Sequence, residues 1–185
     1  GNMMAVWRQL VGGIAKVHAR QFRGGAGWGE IKVISQGSDE AVAADPTVVG
    51  SPGGNFLVVF HQSSGGKTNV LASRINAASD AWTAPESIEN YELGDAARAQ
   101  VAMNRNGNAA VVWQEEPGDG SSRIMMNRLT AGVGWSGPFA INTDPYADTS
   151  LPFVALSDEG KAVIAFLYRE TPAGPRSVAV VQTSD

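Results

Sequence analysis

The strongest constraint on this chain is a heptad written four times: "GNMMAVW" from Gly1, "GNFLVVF" from Gly54, "GNAAVVW" from Gly107 and "GKAVIAF" from Gly160. The opening glycines stand 53 residues apart each time, as do the closing aromatics Trp7, Phe60, Trp113 and Phe166. A fixed period of this size signals a stack of one supersecondary unit, because a single copy cannot bury its own apolar face and its neighbours must cover it. Other landmarks keep the spacing. Val48, Val101 and Val154 lie upstream of the last three heptads, in "DPTVV", "RAQVAM" and "LPFVAL". Downstream come "VHARQF", "VLASRI" and "IMMNRL", followed by "GWGEIKVI", "AWTAPESI" and "GWSGPFAI", whose tryptophans Trp28, Trp82 and Trp135 recur at 54 and 53 residues.

Each unit therefore holds four short apolar runs, separated by turn clusters such as "SPGGN", "NRNGN" and "SDEGK". Runs this short between glycine turns read as strands, and a glycine can take the positive φ that a tight reversal commonly needs. The runs "FLVVF" and "AAVVW" are apolar on consecutive residues, so that strand must be covered on both faces. Radially packed four-stranded blades meet that demand. The expectation is an all-β propeller with a 53-residue blade, its recurring aromatics acting as structural wedges between blades. The 185 residues hold about three and a half units. They read as one propeller domain or propeller segment, with repeats over approximately 1–44 (partial), 45–97, 98–150 and 151–185 (partial). The first unit lacks its first strand and the last lacks its fourth. Three arrangements fit: a small four-bladed ring, part of a larger ring, or a ring completed by another copy of the chain, because open sheet edges invite pairing.

Composition narrows the partners. With 14 basic and 18 acidic residues and no basic cluster, nucleic acid is a poor ligand. Apolar runs such as Val178 to Val181 fall far short of the roughly 20 residues that cross a bilayer as a helix. The absence of cysteine removes disulfides, thiolate metal sites and a cysteine nucleophile.

The order "RAQVAM", "GNAAVVW", "IMMNRL", "GWSGPFAI" resembles the blade unit of sialidase-like propellers with BNR or Asp-box repeats, and repeats in bacterial exported proteins of unknown role. The likeness covers nearly the whole chain at the level of the repeat. The turns in "ASRINAASDAW" and "MNRLTAGVGW" keep only the final tryptophan of the family's S-x-D-x-G-x-T-W motif. By this resemblance, catalysis would require three arginines clamping a substrate carboxylate, a tyrosine–glutamate nucleophile pair and an acid/base aspartate. Arg20, Arg74 and Arg128 recur with the scaffold, which suits a repeated ion pair or stacking contact between blades better than a clamp.

In a propeller of this kind, the loops that vary share one face, and variable loops on a repeated scaffold are where function concentrates. They carry Asp39, His61, Glu92, Asp95, Glu115, Glu116, Asp144, Asp148, Tyr168, Arg169 and Glu170. Of these, His61, Asp95, Glu115, Glu116, Asp148, Tyr168, Arg169 and Glu170 form the candidate ligand-binding set, an acidic and polar rim. Charged loops are also ordinary solvated surface. Tyr168 lies two residues from Glu170, a spacing that loops produce by chance, and His18 and His61 lack a nucleophile-elbow or zinc-binding partner motif. No catalytic residue is assigned. No cofactor or metal site is assigned; calcium on the carboxylates is kept as an alternative, although no D-x-D-x-D-G loop is present. Trp28, Trp82 and Trp135 suit packing at the start of the fourth strand, with sugar stacking as the alternative.

The leading expectation is a non-catalytic binding module, secreted or on a bacterial surface, that recognises carbohydrate or protein on its variable-loop face. The alternatives are a sialidase-like glycoside hydrolase or part of one, and a structural repeat segment of a larger exported protein. Self-association to complete the propeller accompanies all three.

Overall fold

The computed structural model describes residues 1–36, 42–76, 81–89, 94–142, 148–171 and 173–184. The chain is built from four antiparallel sheets taken in sequence order, with no helix among the described residues. The first holds β1 (Met3–Val11), β2 (Ile14–Arg23) and β3 (Gly27–Val33), and the second holds β4 (Val42–Gly50), β5 (Phe56–Ser64), β6 (Lys67–Ile75) and β7 (Glu86–Ser87). The third contains β8 (Asp95–Met103), β9 (Ala109–Glu116) and β10 (Arg123–Thr130), with β11 (Gly134–Trp135) and β12 (Phe139–Ala140) both on β10. The fourth contains β13 (Asp148–Leu156), β14 (Ala162–Arg169) and β15 (Ser177–Thr183).

The glycine that opens the last three heptads has a definite task. In each turn the glycine N–H donates to a carbonyl three residues back: Gly54 to Ser51, Gly107 to Asn104 and Gly160 to Ser157, at 2.9, 3.1 and 3.1 Å. A second bond closes each turn, from Ser51, Asn104 and Ser157 to the carbonyls of Asn55, Asn108 and Lys161. Those glycines have φ of 83°, 84° and 85°, a region that a side chain rarely enters.

The fourth run of each unit behaves differently between sheets, and proline explains it. "GWGEIKV" has no proline and forms the seven-residue β3, whereas Pro85 and Pro138 each remove a ladder donor, leaving the short β7 and splitting β11 from β12. The ends of these runs are pinned alike. Ile34, Ile88 and Ile141 donate to the carbonyls of Val17, Val70 and Ile124 at 2.9, 3.1 and 2.7 Å.

Three apolar seams join the sheets in a row. Phe60 and Val58 pack with Val17 and Ala19 between the first and second sheets. Trp113 and Val111 pack with Leu57, Val59 and Val70 between the second and third, and Phe166 and Ile164 with Val112, Ile124 and Met126 between the third and fourth. Covering an aromatic of this size is worth on the order of 3 kcal/mol. β9 lies between two such seams, which is why Ala109 through Glu115 are all buried. Trp7 departs from the wedge expectation: it lies on the uncovered face of the first sheet, stacked on His18 at 5.6 Å between ring centres. Among the described residues, no other sheet packs there.

The recurring arginines also depart from a shared role. Arg20 donates to the Gly29 carbonyl and lies 5.7 Å from the Trp28 ring centre, both within its own sheet. Arg74 pairs with Glu86 at 3.2 Å, again within one sheet. Arg128 alone of the three is seen to bridge two sheets, donating to the Gly160 and Thr183 carbonyls at 2.8 and 3.3 Å. A common spacing placed them on equivalent strands, but the neighbours within reach differ from sheet to sheet.

Candidate functional site

The clearest local departure from regular structure repeats three times. Asp45, Arg98 and Leu151, at intervals of 53, take φ of 46°, 57° and 52°, the left-handed region that costs a non-glycine residue on the order of 1–3 kcal/mol. Each marks a β-bulge, where β4 slips against β5 between Ala44 and Thr47, β8 against β9 between Ala97 and Gln100, and β13 against β14 between Ser150 and Phe153. A bulge unpairs one residue and re-aims its side chain. Asp45, Arg98 and Leu151 are accordingly exposed, although each sits near the middle of a strand.

The three bulges meet around one cleft of about 800 Å³. Its lining includes Asp45, Thr47, Arg98, Gln100, Leu151 and Phe153. The backbone device is the same in all three sheets, whereas the side chains are a carboxylate with a hydroxyl, a guanidinium with an amide, and an aliphatic group with an aromatic ring. Such a wall can hydrogen-bond on two sides and pack against an apolar surface on the third.

His61 also lines this cleft. The Ala99 N–H donates to its Nε2 at 3.4 Å, tying the second sheet to the bulge of the third. Burial holds the imidazole below its ordinary pKa, against the opposing pull of the Asp45 charge, so it is neutral near pH 7. With Nε2 accepting, the hydrogen-bond pattern assigns the proton to Nδ1, which has no hydrogen-bond partner among the described residues.

The other candidate residues fall into two further places. Asp95 and Glu115 lie at the seam between the second and third sheets, and Glu116 is exposed beside it. Asp95 accepts the Thr68 N–H at 2.8 Å, and it stands opposite Glu116 across the β8–β9 ladder. Gly94 permits that approach, because a Cβ there would meet the Glu116 carbonyl oxygen at 2.0 Å. Glu115 is buried, which pushes its carboxyl pKa up, while Trp113 and the Arg123 charge pull it down; its Oε1 has no hydrogen-bond partner among the described residues. Glu89, at the end of the outer run, joins this seam. Burial raises its carboxyl to about 7, opposed by a hydrogen bond from the Val70 N–H and reinforced by the Glu115 charge.

On the fourth sheet, Arg169 and Arg176 flank Asp148 at 3.5 and 3.6 Å, and Tyr168 and Glu170 line a separate cleft of about 220 Å³. The single acidic rim expected from the sequence is thus divided among three places, and His61 is the member of the candidate set that faces the large cleft. Asp39, Glu92 and Asp144 lie outside the described residues. Among the described residues, no group of three or more His, Asp or Glu side chains is placed to hold a metal ion. The bulge residues escaped the sequence reading, although a signal was present: Pro46 and Pro152 interrupt runs that otherwise read as interior strands, where proline marks a bulge.

The tryptophans of the fourth runs diverge as well. Trp135 donates to Glu86 across a seam at 3.0 Å and packs against the core there. Trp82 packs into the seam between the first two sheets, and Trp28 is 48% exposed with its edge toward Phe22. Trp28 and Trp82 both line a cleft of about 330 Å³.

No protein-family model and no curated protein matches the chain. Solved structures do resemble it. A Dyadobacter fermentans protein of unknown function superposes with a TM-score of 0.64 at 12% identity, covering 98% of this chain and 50% of that one. A polysaccharide lyase, an ulvan lyase, gives 0.67 at 10% identity over 100% of this chain and 50% of its own. The α-L-arabinanase of Penicillium chrysogenum, complexed with arabinobiose, gives 0.60 at 13% identity over 100% and 60%. The chain therefore has an all-β, propeller-type fold, and it spans half to three-fifths of the length of these structures. No helix among the described residues is long and apolar enough to cross a membrane.

Proposed function

We propose that the chain is a carbohydrate-binding propeller module of an exported protein, and that the cleft walled by the three bulges holds the ligand. The observation that carries this reading is the strained backbone shared by Asp45, Arg98 and Leu151, which displays different chemistry from each sheet into one 800 Å³ space. Arg98, Gln100, Thr47 and Asp45 offer donors and acceptors for hydroxyl or carboxylate groups. Phe153, 62% exposed, and Leu151 offer an apolar wall for the C–H face of a sugar ring. The structures that share the fold include a polysaccharide lyase and an α-L-arabinanase complexed with arabinobiose, which supports this class of ligand.

The binding is non-catalytic in this reading. Glycoside hydrolysis generally needs two carboxyl groups about 5–10 Å apart, and Asp45 is the one carboxylate among the described residues lining the cleft. A soluble-glycan microarray followed by calorimetry tests the proposal. Binding should weaken at least about tenfold in Arg98→Ala and in Phe153→Ala, a loss of about 1.4 kcal/mol or more. Silence across the array, or affinity indifferent to both substitutions, defeats it. Release of new reducing ends from a bound glycan would replace it with the hydrolase reading.

We also infer that copies of the chain self-associate. Each outer sheet leaves apolar side chains in solvent, including Trp28, Ile31 and Val33 on the first and Val163, Val178 and Val180 on the fourth. Light scattering over a concentration series tests this, and a mass that stays at 19.3 kDa throughout counts against it.

A further inference from the structure

Every seam within the chain joins two unlike faces. The face directed to the following sheet is aliphatic. It consists of Leu57, Val59, Val70 and Ala72 on the second sheet, and of Ala110, Val112, Ile124 and Met126 on the third. All eight are 0% exposed. The opposing face carries the wedge, which is Phe60, Trp113 or Phe166.

The fourth sheet repeats the aliphatic face, with no sheet packed on it among the described residues. Val59 pairs with Ala72 and Val112 with Met126 across their ladders, and the equivalent pair is Ala165 with Val180. Ile124 lies opposite Gln114 as Val178 lies opposite Leu167. Yet Val163, Val178 and Val180 are 43%, 67% and 65% exposed. The first sheet repeats the wedge face, likewise with no sheet packed on it among the described residues: Trp7 stands opposite His18 as Phe166 stands opposite Ala179. Val33, opposite His18 on the other side, extends that face.

We propose that these two faces are the halves of one more seam, made between two copies of the chain joined head to tail, the fourth sheet of one against the first sheet of the other. The proposal rests on the self-association inferred above and names its surfaces. The two halves occur once each on every copy, at opposite ends of the row of sheets, and the three seams inside the chain show how such halves fit. Because the contact is between unlike faces, it leaves one half free at each end, so copies either close into a ring or continue to add.

The test uses two single substitutions at positions whose equivalents are buried in the internal seams, Val180→Asp on the fourth sheet and Trp7→Asp on the first, with circular dichroism and melting to show that each variant keeps the wild-type fold. Sedimentation of the wild-type 185-residue chain should show association that strengthens with concentration. Each variant alone should associate at least about a hundredfold more weakly, since a seam would bury an unpaired carboxylate. Mixed together, the variants should form a one-to-one dimer that grows no further, because each supplies the face the other has lost. Wild-type association without complementation, or loss of association in only one variant, overturns the head-to-tail pairing while leaving self-association standing. A monomeric wild type overturns both and assigns the faces to another occupant, such as further repeats of the same kind.

Discussion

Two seams of this molecule occupy equivalent places and differ in charge, one acidic and the other balanced. Glu89, Asp95, Glu115 and Glu116 stand at and beside the contact of the second sheet with the third; 53 residues later the equivalent positions hold Asn142, Asp148, Tyr168 and Arg169. The first set is four acids, and the second contains one acid and one base. The backbone is served alike in both. Asn142 accepts the Ile124 N–H at 2.7 Å as Glu89 accepts that of Val70, and in the first sheet Ser35 accepts the Val17 N–H at 3.0 Å. The scaffold therefore requires an oxygen acceptor at this point, where the outer run ends and a ladder donor would otherwise be left unpaired. It does not require a charge. The carboxylates of the inner seam are additions to a structure that Ser or Asn would satisfy.

The comparison can be broken most forcefully at the wedge beneath the acidic seam. Trp113→Ala should cost about 4 kcal/mol in urea unfolding, and more than Phe166→Ala, because β14 has one face uncovered whereas β9 is enclosed. Next come the equivalent aspartates. Asp95→Ala removes the acceptor of the Thr68 N–H and should cost about 1 kcal/mol, because water can replace an exposed partner. Asp148→Ala loses partly exposed ion pairs and should cost under about 1 kcal/mol. Equal costs would mean that the two seams differ in name only.

The acidity itself predicts a pH signature. A carboxyl raised from 4.5 to about 7 on folding favours the folded state while protonated. Its contribution is fully present below pH 4.5 and is lost as pH climbs through 7. Glu89→Gln has no such loss, so its stability relative to wild type should rise by about 1.5 kcal/mol between those limits and then level off; this is less than the full linkage value because the group keeps part of its solvation. Glu115→Gln should shift the same window to lower pH, since the Glu115 charge is one of the groups raising Glu89. The smallest effect belongs to the rim. Glu116→Arg places opposite charges across from each other at Asp95, as at Asp148 and Arg169, and should stabilise by about 0.5 kcal/mol, fading with added salt.

Much of the architecture was legible in the residues. The four heptads, their turn glycines and the consecutive apolar strand between covered faces follow from spacing and from the need to bury apolar surface. The interruption of the outer runs could likewise be read from Pro85 and Pro138. The candidate site was legible only in part. His61 was singled out and lines the large cleft, but Asp45, Arg98 and Leu151 sat within strand patterns that looked continuous.

The division has a physical cause. Periodicity reports what each residue needs from its own strand and from the sheets packed on it, and those needs repeat wherever the packing repeats, so the sequence by itself determined the strands, the turns and the apolar seams. Which side chains converge depends on relations between units. Only the tertiary structure brought three bulges from three sheets around one cleft and set Glu89 beside Glu115. It also left Trp7 and Val180, residues of an interior pattern, facing solvent, because whether a face is covered is decided by its neighbour and not by the strand that bears it.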